Sequence, residues 1–274
     1  MSVHVQNTRT TTARIRQMAV SGEKISMLTS YDYTLARLVD EAGVDMLLVG
    51  DSASNIVCGN TTTLPITLDE MIFLSRGVVR AAQKSMVVVD MPFGSYQVSD
   101  DEAVHSCIRV LKESGCDAVK IEGGAEMLPA IKRILAAGVP VCGHLGLTPQ
   151  SVNQFGGFGL RAKDEAEADK LLDDARLLAE AGCFCIVLEK IPAELAVRVT
   201  EEVKPYRCAT IGIGAGNGTS GQVLVLHDML GFNKGFKPKF LRHFANLAEE
   251  VEKAVQDYTE AVKNGSFPKE EESY

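Results

Sequence analysis

From about Lys24 onward the sequence repeats one unit: a short apolar run, a polar or charged residue where the run ends, a loop, and a segment with apolar residues at helical spacing. That rhythm is the βα alternation of a parallel sheet, whose strands are buried on both faces and read as nearly continuous apolar runs. The runs are Ile25–Thr29, Met46–Asp51, Met86–Asp90, Ala118–Glu122, Val141–His144, Phe184–Glu189, Ala209–Gly214 and Val223–Leu226. Eight of them favour a closed barrel over an open sheet, and 274 residues with 46% hydrophobic content suit one α/β barrel.

Helix-start chemistry fills the intervals. Thr67-Leu68-Asp69-Glu70 and Ser99-Asp100-Asp101-Glu102 read as capping boxes, and Pro149 and Pro192 suit first-turn positions. After Asp32, the residues Leu35, Leu38, Val39 and Ala42 form a stripe expected to cover the outside of the barrel. A helix over Thr12–Gly22 is placed to close the barrel's bottom, and Phe240, Phe244, Leu247, Val251, Tyr258 and Val262 mark a long amphipathic helix near the other end. With no Pro/Gly linker or low-complexity block, the expectation is a single (β/α)8 barrel domain over residues 1–274, with a loose N-terminal arm over 1–10 and a frayed tail over 265–274.

The formal net charge is −8 and the basic residues are scattered, so nucleic acid is not expected as a partner. No export signal and no run long enough to span a membrane is visible. Seven cysteines without a C-x-x-C pair fit a reducing compartment, and the cytoplasm is the expected location. Cys183 and Cys185 read as small apolar residues filling the barrel.

In such a barrel side chains alternate between interior and helix layer, and active sites gather at the carboxyl ends of the strands. Counting back from each polar terminus puts Leu47, Val49 and Asp51 on the interior face of the second strand, and Met86, Val88 and Asp90 on that of the third. The fourth strand places Lys120 and Glu122 on one face, the fifth Cys142 and His144, and the sixth Cys183, Cys185, Val187 and Glu189. A lone acid after a strand is ordinarily a turn or cap residue. Here four acids, one Lys and one His converge on one rim. Carboxylates that close repel one another, and a hard divalent cation is the simplest way to keep several ionised; oxygen ligands point to Mg²⁺ rather than Zn²⁺. His144, with Gly143 and Gly146 beside it leaving room for a ligand at the backbone, reads as a neutral donor to substrate. Gly216–Gly221 formally matches G-x-G-x-x-G, but an apolar run follows it instead of a clear helix, so it reads as a tight rim loop that helps seat a ligand, not as a dinucleotide site.

The blocks MLTSYDY (27–33), LVGDS (48–52), DMPF (90–93), VKIEGG (119–124), GHLGLTPQ (143–150) with FGG (155–157), LEK (188–190) and IGIGAG (211–216), in this order, resemble the ketopantoate hydroxymethyltransferase family over roughly residues 10 to 260. The resemblance implies a TIM barrel of the phosphoenolpyruvate/pyruvate-domain type. It implies transfer of the one-carbon unit of 5,10-methylenetetrahydrofolate, a co-substrate, to 3-methyl-2-oxobutanoate, giving 2-dehydropantoate for pantothenate and coenzyme A synthesis. Metal positions then correspond to Asp51, Asp90 and Glu122, and contacts to the branched 2-oxo acid to Asp51, Ser52, Asp90, Lys120 and His144. Glu189 corresponds to the general base that takes the C3 proton as a Mg²⁺-stabilised enolate forms. A homo-oligomer is implied as well, often a decamer of pentameric rings. The chain departs from the family pattern at Asn60, where His is common, at Ser220, where Asp is frequent, and at Arg161-Ala162-Lys163; none is a metal or base position.

Two other readings stay open. One is a Mg²⁺-dependent lyase or mutase of the phosphoenolpyruvate-type barrels, whose lyase branch carries a catalytic Cys in a Lys-Lys-Cys-Gly-His-type loop that this chain lacks. The other is an inactive metabolite-binding scaffold, which is expected to have lost a metal or base residue, whereas all are present here.

Overall fold

The computed structural model of the chain describes residues 9–274. The N-terminal arm expected over residues 1–10 lies outside them except for its end. There the Arg9 guanidinium pairs with Asp117 at 2.6 Å and the Thr10 N–H donates to the Lys84 carbonyl at 2.6 Å. The chain divides into two compact units after Val225.

The first unit is the barrel. Its strands are β1 (Ile25–Thr29), β2 (Met46–Val49), β3 (Met86–Asp90), β4 (Ala118–Glu122), β5 (Val141–Gly146), β6 (Cys185–Glu189), β7 (Ala209–Ile213) and β8 (Gly221–Leu224). They pair in parallel in sequence order, and β8 closes on β1. Helix α1 (Thr12–Ser21) precedes β1. Between strands run α2 (Tyr33–Glu41), the single turn α3 (Ala53–Ile56), α4 (Leu68–Ala81), α5 (Asp100–Ser114) and α6 (Leu128–Ala136). The single turn α7 (Val152–Phe155), α8 (Glu165–Ala181) and α9 (Ala193–Val203) follow.

One face of each strand fills the interior, with Ile25 and Met27, Met86 and Val88, Cys185 and Val187, and Ala209 and Ile211 in one buried cluster. Ile15 and Met18 of α1 join it, while the Arg16 guanidinium donates to the carbonyls of Gly182 and Tyr206, just ahead of β6 and β7. The helix therefore closes the amino end of the barrel, each buried apolar side chain contributing about 1.5–3 kcal/mol. The capping box at Thr67 forms in full; at Ser99 the side chain accepts from the Glu102 N–H.

Three expectations change. The interior residues of β2 are Met46 and Leu48, not Leu47 and Val49, because the strand stops at Val49 and Asp51 sits in the turn that starts α3, where strand alternation no longer applies. Strand β8 starts two residues earlier than expected, with Gly221 paired to both Ile25 and Ile211. In α2 the buried residues are Ala36, Val39 and Asp40, while Leu38 is 52% exposed. The inward face turns because the Asp40 carboxylate is needed inside: it accepts N–H bonds from Gln83, Lys84 and Ser85 at 3.0, 3.0 and 2.7 Å, which ties α2 to the loop entering β3.

The second unit contains the single turn α10 (Leu226–Met229) and α11 (Leu247–Asn264). The helix begins later than the apolar pattern from Phe240 suggests, because backbone groups of the preceding segment are used elsewhere: the N–H groups of Phe244 and Leu247 donate to the carbonyls of Met229 and Leu230 at 2.8 and 2.9 Å. A one-turn 3₁₀ helix at Glu270–Glu272 lies within the exposed end of the chain. Among the described residues no helix is long and apolar enough to cross a membrane.

Burial alone would raise the Asp40 pKa, but its N–H donors outweigh that and hold the carboxyl below its ordinary range. A lowered folded-state pKa stabilises above the unfolded value, and the contribution is lost as pH falls through the folded one. Asp40→Asn is therefore expected to cost on the order of 2–3 kcal/mol in urea unfolding at pH 7. The deficit shrinks as pH falls below about 4, where the carboxyl of the unfolded chain protonates first and the folded one follows at lower pH; an equal deficit at pH 3 would contradict this.

Candidate active site

Strand register assembles the rim. Asp90 is aligned with Lys120, Glu122 with His144, and Gly146 with Glu189 across successive strand pairs. Asp51 arrives from the turn after β2, and its N–H donates to Asp90 Oδ2 at 3.0 Å. Lys120 Nζ lies 3.2 Å from Asp90 Oδ1, 3.9 Å from Glu122 Oε1 and 3.0 Å from His144 Nδ1. His144 Nε2 points to Glu189 Oε2 at 3.5 Å. Asp51, Asp90, Lys120, Glu122 and His144 are all buried, whereas the Glu189 side chain is 18% exposed. Every residue singled out from the sequence thus reaches one site; Ser52 joins it through a 2.8 Å hydrogen bond between its Oγ and Tyr31 Oη.

Burial dominates the electrostatics. It pushes the Asp51 carboxyl well above the usual range, and the negative charges of Asp90 and Glu122 add to the effect. Burial raises Glu122 as well, with Lys120 opposing. Burial works against the Lys120 ammonium, but Asp90, Glu122 and Asp51 outweigh it and hold the group charged. His144 moves the other way: burial and the neighbouring Lys120 lower its pKa, so the imidazole is neutral. With Nδ1 facing the Lys120 ammonium as acceptor, the ring carries its proton on Nε2, toward Glu189.

The two glycines beside His144 also answer to packing. A Cβ on Gly143 would stand 2.9 Å from Leu178 Cδ1 of α8, and one on Gly146, at φ +89°, would stand 2.3 Å from the Glu189 carbonyl oxygen. They allow close packing of β5 on α8 and β6, and Gly146 also lines the cavity described below. The Gly216–Gly221 loop is similar: a Cβ on Gly218 would meet Val197 of α9 at 2.4 Å. Cys185 fills the interior as expected, beside its cross-strand partner Cys142, whereas Cys183 is buried just before β6 and is not part of that interior cluster.

The donor set suits a hard cation. Asp90 Oδ1 is buried and meets only the Lys120 ammonium at 3.2 Å, and the Asp90 charge acts directly on the buried Asp51 carboxyl. Among the described residues no three His, Cys, Asp or Glu side chains already stand in a ligating arrangement. The fit therefore rests on two carboxylates with further positions left to water and substrate, which is how Mg²⁺ is ordinarily held. Glu122 Oε2 accepts the Gln150 N–H at 3.0 Å and its Oε1 faces the Lys120 ammonium at 3.9 Å, so it stands as an outer partner to that pair.

Outside this core a cavity of about 670 Å³ opens, lined by Phe93, Tyr96, Leu145, Phe155 and Arg161, with Glu122 at its floor. The Arg161 guanidinium lies 3.9 Å over the Phe155 ring and pairs with Glu167. Tyr31, Tyr96 and Gln150 make contacts in the site that sequence reasoning did not single out. Their signal lay only in their place within the quoted blocks, since neutral side chains carry no charge pattern to count.

The barrel resembles solved structures of different chemistry. One is a 2,3-dimethylmalate lyase of the PEP mutase/isocitrate lyase superfamily, at TM-score 0.58 and 17% identity, covering 94% of this chain and 88% of the other. At that identity the likeness concerns the fold alone. Sequence relatives are much nearer. The chain is 59% identical over 268 residues to the 3-methyl-2-oxobutanoate hydroxymethyltransferase of Parabacteroides distasonis, covering 98% of this chain and 97% of that one. It is 58% identical to the enzyme of the same name from Porphyromonas gingivalis, covering 97% and 96%. The family profile of ketopantoate hydroxymethyltransferase matches residues 9–270. With the rim of acids, lysine and histidine assembled on a closed barrel, and with that likeness along nearly its whole length, the chain belongs to the ketopantoate hydroxymethyltransferase family.

Proposed function

We propose that this chain transfers the one-carbon unit of 5,10-methylenetetrahydrofolate to 3-methyl-2-oxobutanoate to give 2-dehydropantoate. The observation that carries the reading is the line of Lys120, His144 and Glu189, with contacts of 3.0 and 3.5 Å between neighbours, beside the Asp51–Asp90 carboxylates. Removing a proton from carbon next to a ketone needs a base at that carbon and positive charge at the oxygen that becomes anionic. Mg²⁺, held by Asp51 and Asp90 with Glu122 as outer partner, supplies Lewis-acid polarisation of the 2-oxo group when bound. Lys120 offsets the negative charge that develops there, and the Nε2–H of neutral His144 donates to the substrate. Ser52, its hydroxyl oriented by Tyr31, holds the substrate carboxylate.

Glu189 takes the C3 proton, since it is the most open carboxylate of the rim and has the His144 ring between it and Lys120. The nucleophilic C3 then bonds to the methylene carbon of the folate as one of that carbon's two C–N bonds breaks and the freed nitrogen takes up a proton, and water cleaves the remaining C–N bond to release the hydroxymethyl product and tetrahydrofolate. The outer cavity, with Phe93, Phe155 and Leu145 on its walls, suits a flat heteroaromatic co-substrate. We place the enzyme in the cytoplasm as a homo-oligomer, a decamer by family likeness. Val251, Val255, Tyr258 and Val262 of α11, each about half exposed, offer it an apolar contact face.

Glu189→Gln is expected to bind 3-methyl-2-oxobutanoate normally while C3 proton exchange in D₂O falls by about 10²–10⁴. Exchange at the wild-type rate would remove Glu189 from the role of base. Lys120→Met leaves the buried carboxylates without their cation and is expected to cost about 3 kcal/mol in urea unfolding, with weakened oxo-acid binding by titration. Unchanged oxo-acid affinity in a folded Lys120→Met protein would argue against its charge-offsetting role.

A further inference from the structure

Each of the three buried carboxylates has one oxygen held by an N–H of the protein frame. Asp90 Oδ2 accepts from the Asp51 N–H at 3.0 Å, Asp51 Oδ2 from Gln150 Nε2 at 2.9 Å, and Glu122 Oε2 from the Gln150 N–H at 3.0 Å. Gln150 thus supplies two of these three contacts, one from its side chain and one from its backbone. It is 6% exposed and lies in the 3₁₀ turn Pro149–Ser151 directly after β5 and Thr148.

The amide cannot turn over. Its second Nε2 hydrogen goes to the Met91 carbonyl at 2.9 Å, and its Oε1 accepts from Tyr96 Oη at 2.7 Å and Gln97 Nε2 at 3.1 Å. Flipping the group would set its oxygen against the Asp51 carboxylate and the Met91 carbonyl, and its NH₂ against that of Gln97. Tyr96 Oη, having given its proton to Gln150, accepts the Glu122 N–H at 3.3 Å, so the same pair also holds the strand end that bears Glu122.

We infer that Gln150, its amide locked by Tyr96, is a positioning residue that occupies one oxygen each of Asp51 and Glu122 and so decides which carboxylate oxygens remain for a hard divalent cation. The inference rests on the metal reading proposed above. An isosteric apolar replacement, Gln150→Met, removes the side-chain donor to Asp51 and the lock while keeping the volume. Tyr96→Phe removes the lock alone. The test is the dissociation constant of Mn²⁺, a hard cation whose free form is read directly by electron paramagnetic resonance, measured on the full-length wild-type protein and both variants, with melting temperatures alongside.

Loss of an outer-shell partner commonly weakens metal binding about 10–100-fold, and Gln150→Met is expected in that range, with a smaller loss in the same direction for Tyr96→Phe. A merely structural role would lower the melting temperature and leave the constant of the folded protein unchanged. Equal Mn²⁺ affinity in wild type and a folded Gln150→Met protein overturns the positioning role. If Gln150→Met does not fold, equal affinity in Tyr96→Phe overturns it instead. Failure of the wild type itself to bind Mn²⁺ overturns the metal reading and this role together, and is recognised because the variants then do not differ from it.

Discussion

Three carboxylates and one ammonium share the mouth of this barrel, all nearly out of reach of solvent, and the rest of the site is arranged around that imbalance. Desolvated like charges a few ångströms apart are strongly unfavourable unless neutralised. Lys120 offsets one charge, and the N–H groups of Asp51 and Gln150 share out the carboxylate oxygens. A residual negative charge remains, which is the condition under which a divalent cation binds usefully. His144 stays neutral because burial disfavours an imidazolium and the Lys120 ammonium stands 3.0 Å away, which together outweigh the nearby carboxylates.

The barrel makes the imbalance tolerable. Parallel register sets one functional residue beside the next around the rim, so positions far apart in sequence meet without long loops. Below the rim the interior is Met, Val, Cys, Ala and Ile, with α1 closing the far end, so water enters from the carboxyl side. Burial therefore strengthens the electrostatics of the rim and also stabilises the fold that produces it. Glu189, with 18% of its side chain exposed, is the least buried carboxylate of the rim, as suits a group that must accept a proton and then release it.

Much of this was legible in the sequence because it rests on period and charge. The eight apolar runs led to the closed barrel, and alternation in β3, β4, β5 and β6 put Asp90, Lys120, Glu122, His144 and Glu189 on the interior face. Alternation failed at β2, where Asp51 reaches the mouth from a turn and the right residue was found by the wrong count. The glycines around His144 also answer to Leu178 and the Glu189 carbonyl, contacts that only tertiary structure discloses. Gln150 was hidden for a similar reason: it meets Asp51 across 99 positions of sequence, and a neutral amide in a turn leaves no trace in periodicity. The late start of α11 depended on backbone hydrogen bonds of the segment before it, which an apolar pattern does not record.

The chemistry proposed for this rim is the removal of a proton from C3 of a branched 2-oxo acid with the help of a hard cation. ¹H NMR of 3-methyl-2-oxobutanoate in D₂O with the protein and Mg²⁺, repeated with EDTA and then with 5,10-methylenetetrahydrofolate added to the metal-loaded sample, tests it directly. The account predicts loss of the C3 proton signal with Mg²⁺, its retention with EDTA, and 2-dehydropantoate on addition of the folate. A C3 signal that persists with Mg²⁺ present, and no product with folate, would contradict it.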